Sequence, residues 1–401
     1  MLLVSQIFSP FLLSLSIWVI AYSCLVETGP NGWPRLDFPK IFQNLFKKPE
    51  LLAISGLFWL SVASGIWSEN IPYWLERSQV RLPFFILPFA FANRPDISKK
   101  QFDGLCAFFL AAISITGLGV LANFALHYED VMNSLSIGGA VPVPRNHIRF
   151  SLLVAMGVAV GWQLFRRGFC WKNRTERWIW LAMAVFLLVL SHLLAVRTGL
   201  VAVYAVVFLA VVQLIFLEKN KRAGLILGAG LILMPIIFLK YSPALRTKIG
   251  YMIWDITRGD EFSKEGYSDT DRVVSLRGGW QIFCENPILG TGMGDLPTEM
   301  RRYVAENLPA YKKDVKLPHN QFLYVMAATG VVGLLVSLAA WIAPFFFRSS
   351  PREPLFGAAM LILFISFLVE YTIEGTYGAV FAAFFPIFFN MKIGGPPEIS
   401  G

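Results

Sequence analysis

Four histidines are spread over the 401 residues, and one stands in a polar cluster beside an apolar run. His319 occurs in Leu317-Pro-His-Asn-Gln-Phe-Leu323, where a long polar stretch gives way to a membrane-like segment. An imidazole has an ordinary pKa of about 6.5, close to what a general base needs at neutral pH. Its neighbour Asn320 can orient the ring, hold a hydroxyl, or simply cap the helix that follows. His127 and His192 have no such cluster around them and carry no chemical expectation.

Arginine supplies the complementary chemistry, because its planar fork matches phosphate oxygens bidentately. Arg197 lies in Val-Arg197-Thr-Gly199, between two apolar runs with almost no loop to separate them. An arginine held there cannot snorkel far, so it either meets an anion or lies among headgroups. Arg145 and Arg149 flank His147 in Pro144-Arg-Asn-His-Ile-Arg149, at the start of another apolar run. Such an i, i+4 pair repels itself unless an anion lies between, although headgroup anchoring accounts for it as well. Arg272 and Arg277 sit in Arg272-Val-Val-Ser-Leu-Arg277-Gly-Gly-Trp280, inside the long polar stretch.

The glycine-rich segment Asn286-Pro-Ile-Leu-Gly290-Thr-Gly292-Met-Gly294 follows. Its backbone N–H groups at Gly290 and Gly292 could form an anion nest, or the segment could be no more than a tight turn. It lacks the spacing and the preceding strand of a dinucleotide fingerprint. Asp269-Thr-Asp271 resembles the DxD of nucleotide-sugar transferases, but acidic triplets are common in solvated loops. Glu370 and Glu374 stand four residues apart on the last apolar helices. Acids placed there are functional candidates by default, and pairing with a nearby arginine reads equally well. Glu76, Arg77 and Arg81 look like an interfacial amphipathic turn without a role.

The elements that must position these residues follow from composition. Fifty-six per cent of the chain is apolar and 15% charged, with a mean hydropathy of +0.58. Soluble domains carry about 25% charge. The imbalance excludes a soluble enzyme, a disordered chain and a disulfide scaffold, and leaves an all-α polytopic membrane protein. Apolar runs long enough to approach a span of ~20 residues cover 2–26, 51–67, 73–92, 102–126, 147–165, 178–196, 200–217, 223–239, 321–347, 355–371 and 375–391. That is eleven transmembrane helices, or twelve if the first run folds back at Pro10.

The net charge of +9 is explained by where the basic residues lie. About half of the Lys and Arg fall in six segments that alternate onto one face: 35–48, 94–100, 166–177, 219–222, 348–352 and Lys392. The positive-inside rule makes that face cytoplasmic, and no nucleic-acid partner is needed. The chain then divides into N-terminal membrane helices (1–239), a long outer, mostly helical loop (240–319), C-terminal membrane helices (320–392) and a cytoplasmic tail (393–401). Within the loop, 275–285 and Leu296–Asn307 are expected helices. Four isolated cysteines suggest neither a metal site nor a redox pair.

In this order, Val-Arg197-Thr-Gly, Arg272, Asn286-Pro-Ile-Leu-Gly-Thr-Gly-Met-Gly294, His319-Asn-Gln-Phe-Leu and Gly330-Val-Val-Gly333-Leu resemble the pattern of the O-antigen ligase and polymerase superfamily. By motif the resemblance spans roughly residues 140–340, and by hydropathy and length the whole chain. It implies a GT-C-like fold and a metal-independent, inverting glycosyltransferase without a cofactor, in the inner membrane of a Gram-negative bacterium. The implied donor is a glycan on undecaprenyl pyrophosphate, and membrane lipid is a further partner. A ligase passes the glycan to a sugar hydroxyl of lipid A–core, and a polymerase to another lipid-linked repeat. Transfer to a protein hydroxyl is a related possibility.

Carried over by position, the catalytic histidine is His319 and the span-end arginine Arg197. The loop arginine is Arg272 or Arg277, with the count back from Pro287 favouring Arg272. Asn320, Arg145, His147, Arg149, Gly290 and Gly292 are the expected substrate contacts, with the active site on the periplasmic side. A flippase for the same anionic lipid is the rival from another class. Its signature of internal repeats and helices broken at the midplane is not visible.

Overall fold

The computed structural model describes the chain except residues 29–32, 95, 170–172, 258–267, 310, 312–313, 348–352 and 395–401, together with the side chains of 254–257, 268–270 and 394. The expected tail beyond 394, the basic residues Lys172, Arg348 and Arg352, and the Asp269 side chain therefore lie outside the described residues.

Helix starts are written in short polar residues followed by proline or an apolar run. Ser9, Asp37, Asn70, Asn146, Asn173, Asn220 and Asn320 each cap a helix by accepting from an amide in its first turn. Ser98 and Gln101 form a reciprocal capping box at the start of Lys99–Leu126. Proline occupies the first helical position at Pro10, Pro49 and Pro83, where its missing N–H costs nothing.

The result is an all-α polytopic membrane protein. Among the described residues, six helices are long and apolar enough to cross a membrane: Lys99–Leu126, His147–Arg167, Arg174–Leu194, Arg197–Leu217, Lys221–Tyr241 and Gln321–Phe346. Four shorter apolar helices accompany them: Pro10–Leu25, Pro49–Ser64, Pro354–Val369 and Thr376–Asn390. The first apolar run breaks at Ser9-Pro10, as the sequence allows. The run 73–92 differs from its expected single span. It forms two helices, Ile71–Val80 and Pro83–Asn93, because Pro83 starts a new helix and Arg81 turns into the protein.

The chain packs as two compact units that cut across its linear segments. The first comprises 1–97, 259–356 and 367–394, and the second 98–258 with 357–366. In the first unit the loop helices Ser268–Glu285 and Leu296–Asn307 do not stand free. Ile282, Met293, Leu296 and Met300 are buried in one cluster with Leu60, Tyr324, Val325, Ala327 and Ala328 of the apolar helices. A short antiparallel pair, Val26–Thr28 with Pro34–Leu36, is set in register Val26 to Leu36.

In the second unit small residues bring helices close, as is usual where lipid surrounds them. A Cβ on Gly161 would lie 2.8 Å from Ala184 Cβ, and one on Gly199 only 2.3 Å from Ser151 Cβ. The helices beginning at His147 and Arg197 therefore start side by side.

Candidate active site

His319 is placed by the two elements that meet at it. It immediately precedes Asn320, the cap of the Gln321–Phe346 helix, and its backbone N–H donates to Ser275 Oγ at 3.3 Å. Ser275 belongs to the Ser268–Glu285 helix and donates in turn to the Arg272 carbonyl at 2.8 Å. The two elements approach this closely because residue 279 is glycine. A Cβ there would lie 2.6 Å from Pro318 Cγ.

The same helix carries Arg272 to the imidazole. Arg272 Nη2 donates to Glu370 Oε1 at 2.9 Å, while Glu370 Oε2 lies 3.5 Å from His319 Nδ1. One carboxylate thus lies between the two groups that the sequence marks for base and anion chemistry. It is hydrogen-bonded to Arg272 and 3.5 Å from an imidazole nitrogen that has no hydrogen-bond partner among the described residues. Its own side chain is 7% exposed, but Arg272 is 30% and His319 17% exposed, so both reach solvent. Tyr371 packs against the imidazole, with ring centroids 5.1 Å apart.

Below this cluster lies a second, fully buried one. Arg81 Nη2 pairs with Glu374 Oε1, and neither side chain has any exposed surface. Gln321 Nε2 donates to the same oxygen at 3.1 Å and Gln321 Oε1 accepts from Ile373 N–H at 2.9 Å. Arg77 Nη1 donates to the Glu374 carbonyl at 2.7 Å. Arg77 and Arg81, read from sequence as an interfacial turn, are instead anchors for the segment that holds Glu370.

In the second unit, Asn146 caps the helix that starts at His147, accepting from Ile148 and Arg149 N–H. Ala195, in the left-handed region at φ 50°, turns the chain so that Arg197 opens the next helix. Because Gly199 packs on Ser151, Arg145, His147, Arg149 and Arg197 lie at one end of this unit, at two adjacent helix N-termini. Arg145 and Arg197 are exposed there, and His147 and Arg149 half-buried. The partial positive charge of both N-termini adds to the arginines, which makes this end attractive to anions.

Residues 182–338 match the family model described as O-antigen ligase. The match supports membership of the O-antigen ligase/polymerase superfamily, whose members are glycosyltransferase-like membrane enzymes. No curated protein matches the chain. The matched stretch contains Arg197, Arg272, Arg277, the glycine-rich turn, His319 and Asn320.

Within the matched stretch the geometry separates residues that the sequence groups together. Arg277 is exposed and five residues from Arg272, about 140° round the helix, so only Arg272 faces His319. Asn320 is engaged on both sides of its amide, with one N–H and one lone pair left over. Its Oδ1 accepts from Leu323 N–H at 2.9 Å and its Nδ2 donates to the Leu368 carbonyl at 3.0 Å. It caps its own helix and clamps the end of Pro354–Val369.

Gly290 and Gly292 do not form an anion nest either. Gly290 N–H donates to Asn286 O, Thr291 N–H to Ala327 O and Gly292 N–H to Ala328 O. These bonds tie the turn to a break in the Gln321–Phe346 helix at Gly330, whose φ is 63°. A Cβ on Gly330 would meet Ile288 O at 2.1 Å, and one on Gly290 would meet Ala328 C at 2.4 Å. Glycine is needed at both places so that backbone can lie on backbone.

Asp271 accepts from the Tyr311 hydroxyl at 2.9 Å, a bond that, after burial, helps push the Tyr311 phenol up. This is a structural use of the second acid in Asp269-Thr-Asp271. His192 also proves structural, with Nδ1 at 2.8 Å from Leu188 O and Nε2 at 2.5 Å from the Tyr204 hydroxyl. Glu370, left open by the sequence, is the member of the His319 cluster that sequence reasoning placed least well. The only signal was an acid in an apolar run near an unpaired count of arginines.

Proposed function

We propose that the protein is an inverting glycosyltransferase that moves a glycan from undecaprenyl pyrophosphate to a sugar hydroxyl of lipid A–core, with its active site on the periplasmic face of the inner membrane. The observation that carries this reading is Glu370 placed between His319 and Arg272, paired with the arginine and 3.5 Å from the imidazole. The superfamily match supports the reaction class, and the basic loops of the sequence support the orientation.

In this reaction the acceptor oxygen forms a bond to the anomeric carbon as the bond from that carbon to the phosphate oxygen breaks. The electron pair leaves with the pyrophosphate, and attack from the opposite face inverts the centre. His319 takes the acceptor proton on Nε2, while Glu370 beside Nδ1 fixes the ring and stabilises the imidazolium that forms. Arg272 keeps one N–H on Glu370 and turns its remaining donors to the departing phosphate, stabilising charge that develops only in the transition state. Arg197, with Arg145, His147 and Arg149, makes an end of the second unit that suits phosphate groups of a lipid-linked glycan.

The test is reconstitution of the full chain with lipid-linked glycan and lipid A–core. Wild type yields ligated product, and His319→Ala folds but loses about 10²–10⁴-fold of the rate. Normal transfer by His319→Ala would overturn the mechanism. Elongated lipid-linked glycan in place of ligated core would make the acceptor that of a polymerase.

A further inference from the structure

The helices Pro83–Asn93 and Thr376–Asn390 both begin beside the Arg81–Glu374 pair and run away from it. At about 1.5 Å per residue, their far ends lie roughly 16–22 Å from that pair. Between those ends and the start of Pro49–Ser64 is a cavity of about 290 Å³. Lys48, Arg94 and Lys392 line it, together with Glu50, Asp96 and Asn390. Nothing in the glycosyl-transfer mechanism uses these residues.

Three features of the cavity point to a ligand. Its three cations and two carboxylates leave one positive charge, which is what a single phosphodiester neutralises. Lys48 and Arg94 are drawn to the same spot, Lys48 by the Ala92 carbonyl at 3.1 Å and Arg94 by the Lys392 carbonyl at 2.7 Å. Burial, and for Lys48 also the neighbouring Arg94, holds both cations below their ordinary pKa, a cost that an anion between them would reverse. The third feature is Asn390. Its side chain is 4% exposed, and Oδ1 has no hydrogen-bond partner among the described residues. A buried amide oxygen of this kind suits a hydroxyl donor.

We propose that this cavity seats the headgroup of an anionic glycerophospholipid, its phosphodiester between Lys48, Arg94 and Lys392 and a headgroup hydroxyl on Asn390 Oδ1. Phosphatidylglycerol is the simplest lipid with both groups. The site lies at helix ends, the level of headgroups, and in the loops whose basic residues assign them to the cytoplasmic leaflet. Basic pockets between membrane helices on that side are a common form of lipid recognition.

Lipid retention by the full chain in mixed micelles, read by native mass spectrometry, tests the proposal. Phosphatidylglycerol should bind, and phosphatidylcholine at the same concentration should not compete. Lys392→Gln, which alters an exposed side chain, should weaken phosphatidylglycerol binding by roughly tenfold. Asn390→Asp keeps the shape, cancels the net charge and should weaken it at least as much. Equal retention of both lipids would overturn the proposal, as would unchanged affinity in Lys392→Gln. Displacement of the lipid by an equal concentration of glycerol 3-phosphate would make this a free phosphate-ester site, and would also overturn it.

Discussion

Glu370 and Glu374 are the same residue type, four positions apart, each paired with an arginine, and their surroundings differ. Glu374 meets Arg81 with no exposed surface on either side, and Gln321 shares the same oxygen. Glu370 meets an arginine that is 30% exposed and a histidine that is 17% exposed. A fully buried pair has no route to a substrate and can only hold the chain together. A pair with an open cation and an adjacent base can meet one. Exposure of the partner, not the acid itself, separates an anchor from a reactive site.

The largest effect that could break this comparison is on stability. Removing one member of a buried pair strands a charge and costs about 3–5 kcal/mol, whereas replacing both by well-packed apolar residues is often neutral. Arg81→Ala should therefore lower the midpoint of thermal unfolding sharply, and Arg81→Met with Glu374→Met should recover much of it. Equal stability of the single variant and wild type would remove the anchor from the account.

A smaller effect sharpens the other side. Arg272→Lys replaces a fork by a point charge and should lose the second phosphate contact, about 1.5–3 kcal/mol, or roughly 10–100-fold in transfer. Arg277→Lys should transfer normally, because Arg277 faces away from His319. A reversed ranking would move the phosphate contact to the other face of that helix.

The smallest effect concerns the residue beside His319 in sequence. Asn320→Ala should cost about 1 kcal/mol of stability through the lost cap, with the substrate KM unchanged. A raised KM at full folding would return Asn320 to the substrate.

Much of this was legible from residue type alone. Helix starts follow from Ser, Asp and Asn caps and from proline, and Leu296–Asn307 lies where the sequence expects it. His319 and Arg272 are legible because a histidine at the end of a polar stretch and arginine forks have few bland uses. What remained hidden is pairing across the chain. Arg81 and Glu374 are 293 residues apart, so Arg81 reads as an amphipathic turn until its partner is beside it. The glycine-rich turn misleads for a related reason. Its free-looking amides are spent on carbonyls of the Gln321–Phe346 helix, exposed by the break at Gly330. The split of 73–92 into two helices follows from the same pairing, since an arginine that turns inward cannot stay in register with a straight span.

The most direct measurement compares transfer and thermal unfolding in Glu370→Gln and Glu374→Gln, made in the same full-length background. Glu370→Gln should keep its unfolding midpoint within the small effect of a partly exposed pair and lose at least about tenfold in transfer. Glu374→Gln should unfold at a markedly lower temperature, while the fraction that stays folded transfers near the wild-type rate. A folded Glu370→Gln protein with undiminished transfer, beside a stable Glu374→Gln protein without transfer, would contradict the assignment of chemistry to the Glu370 cluster.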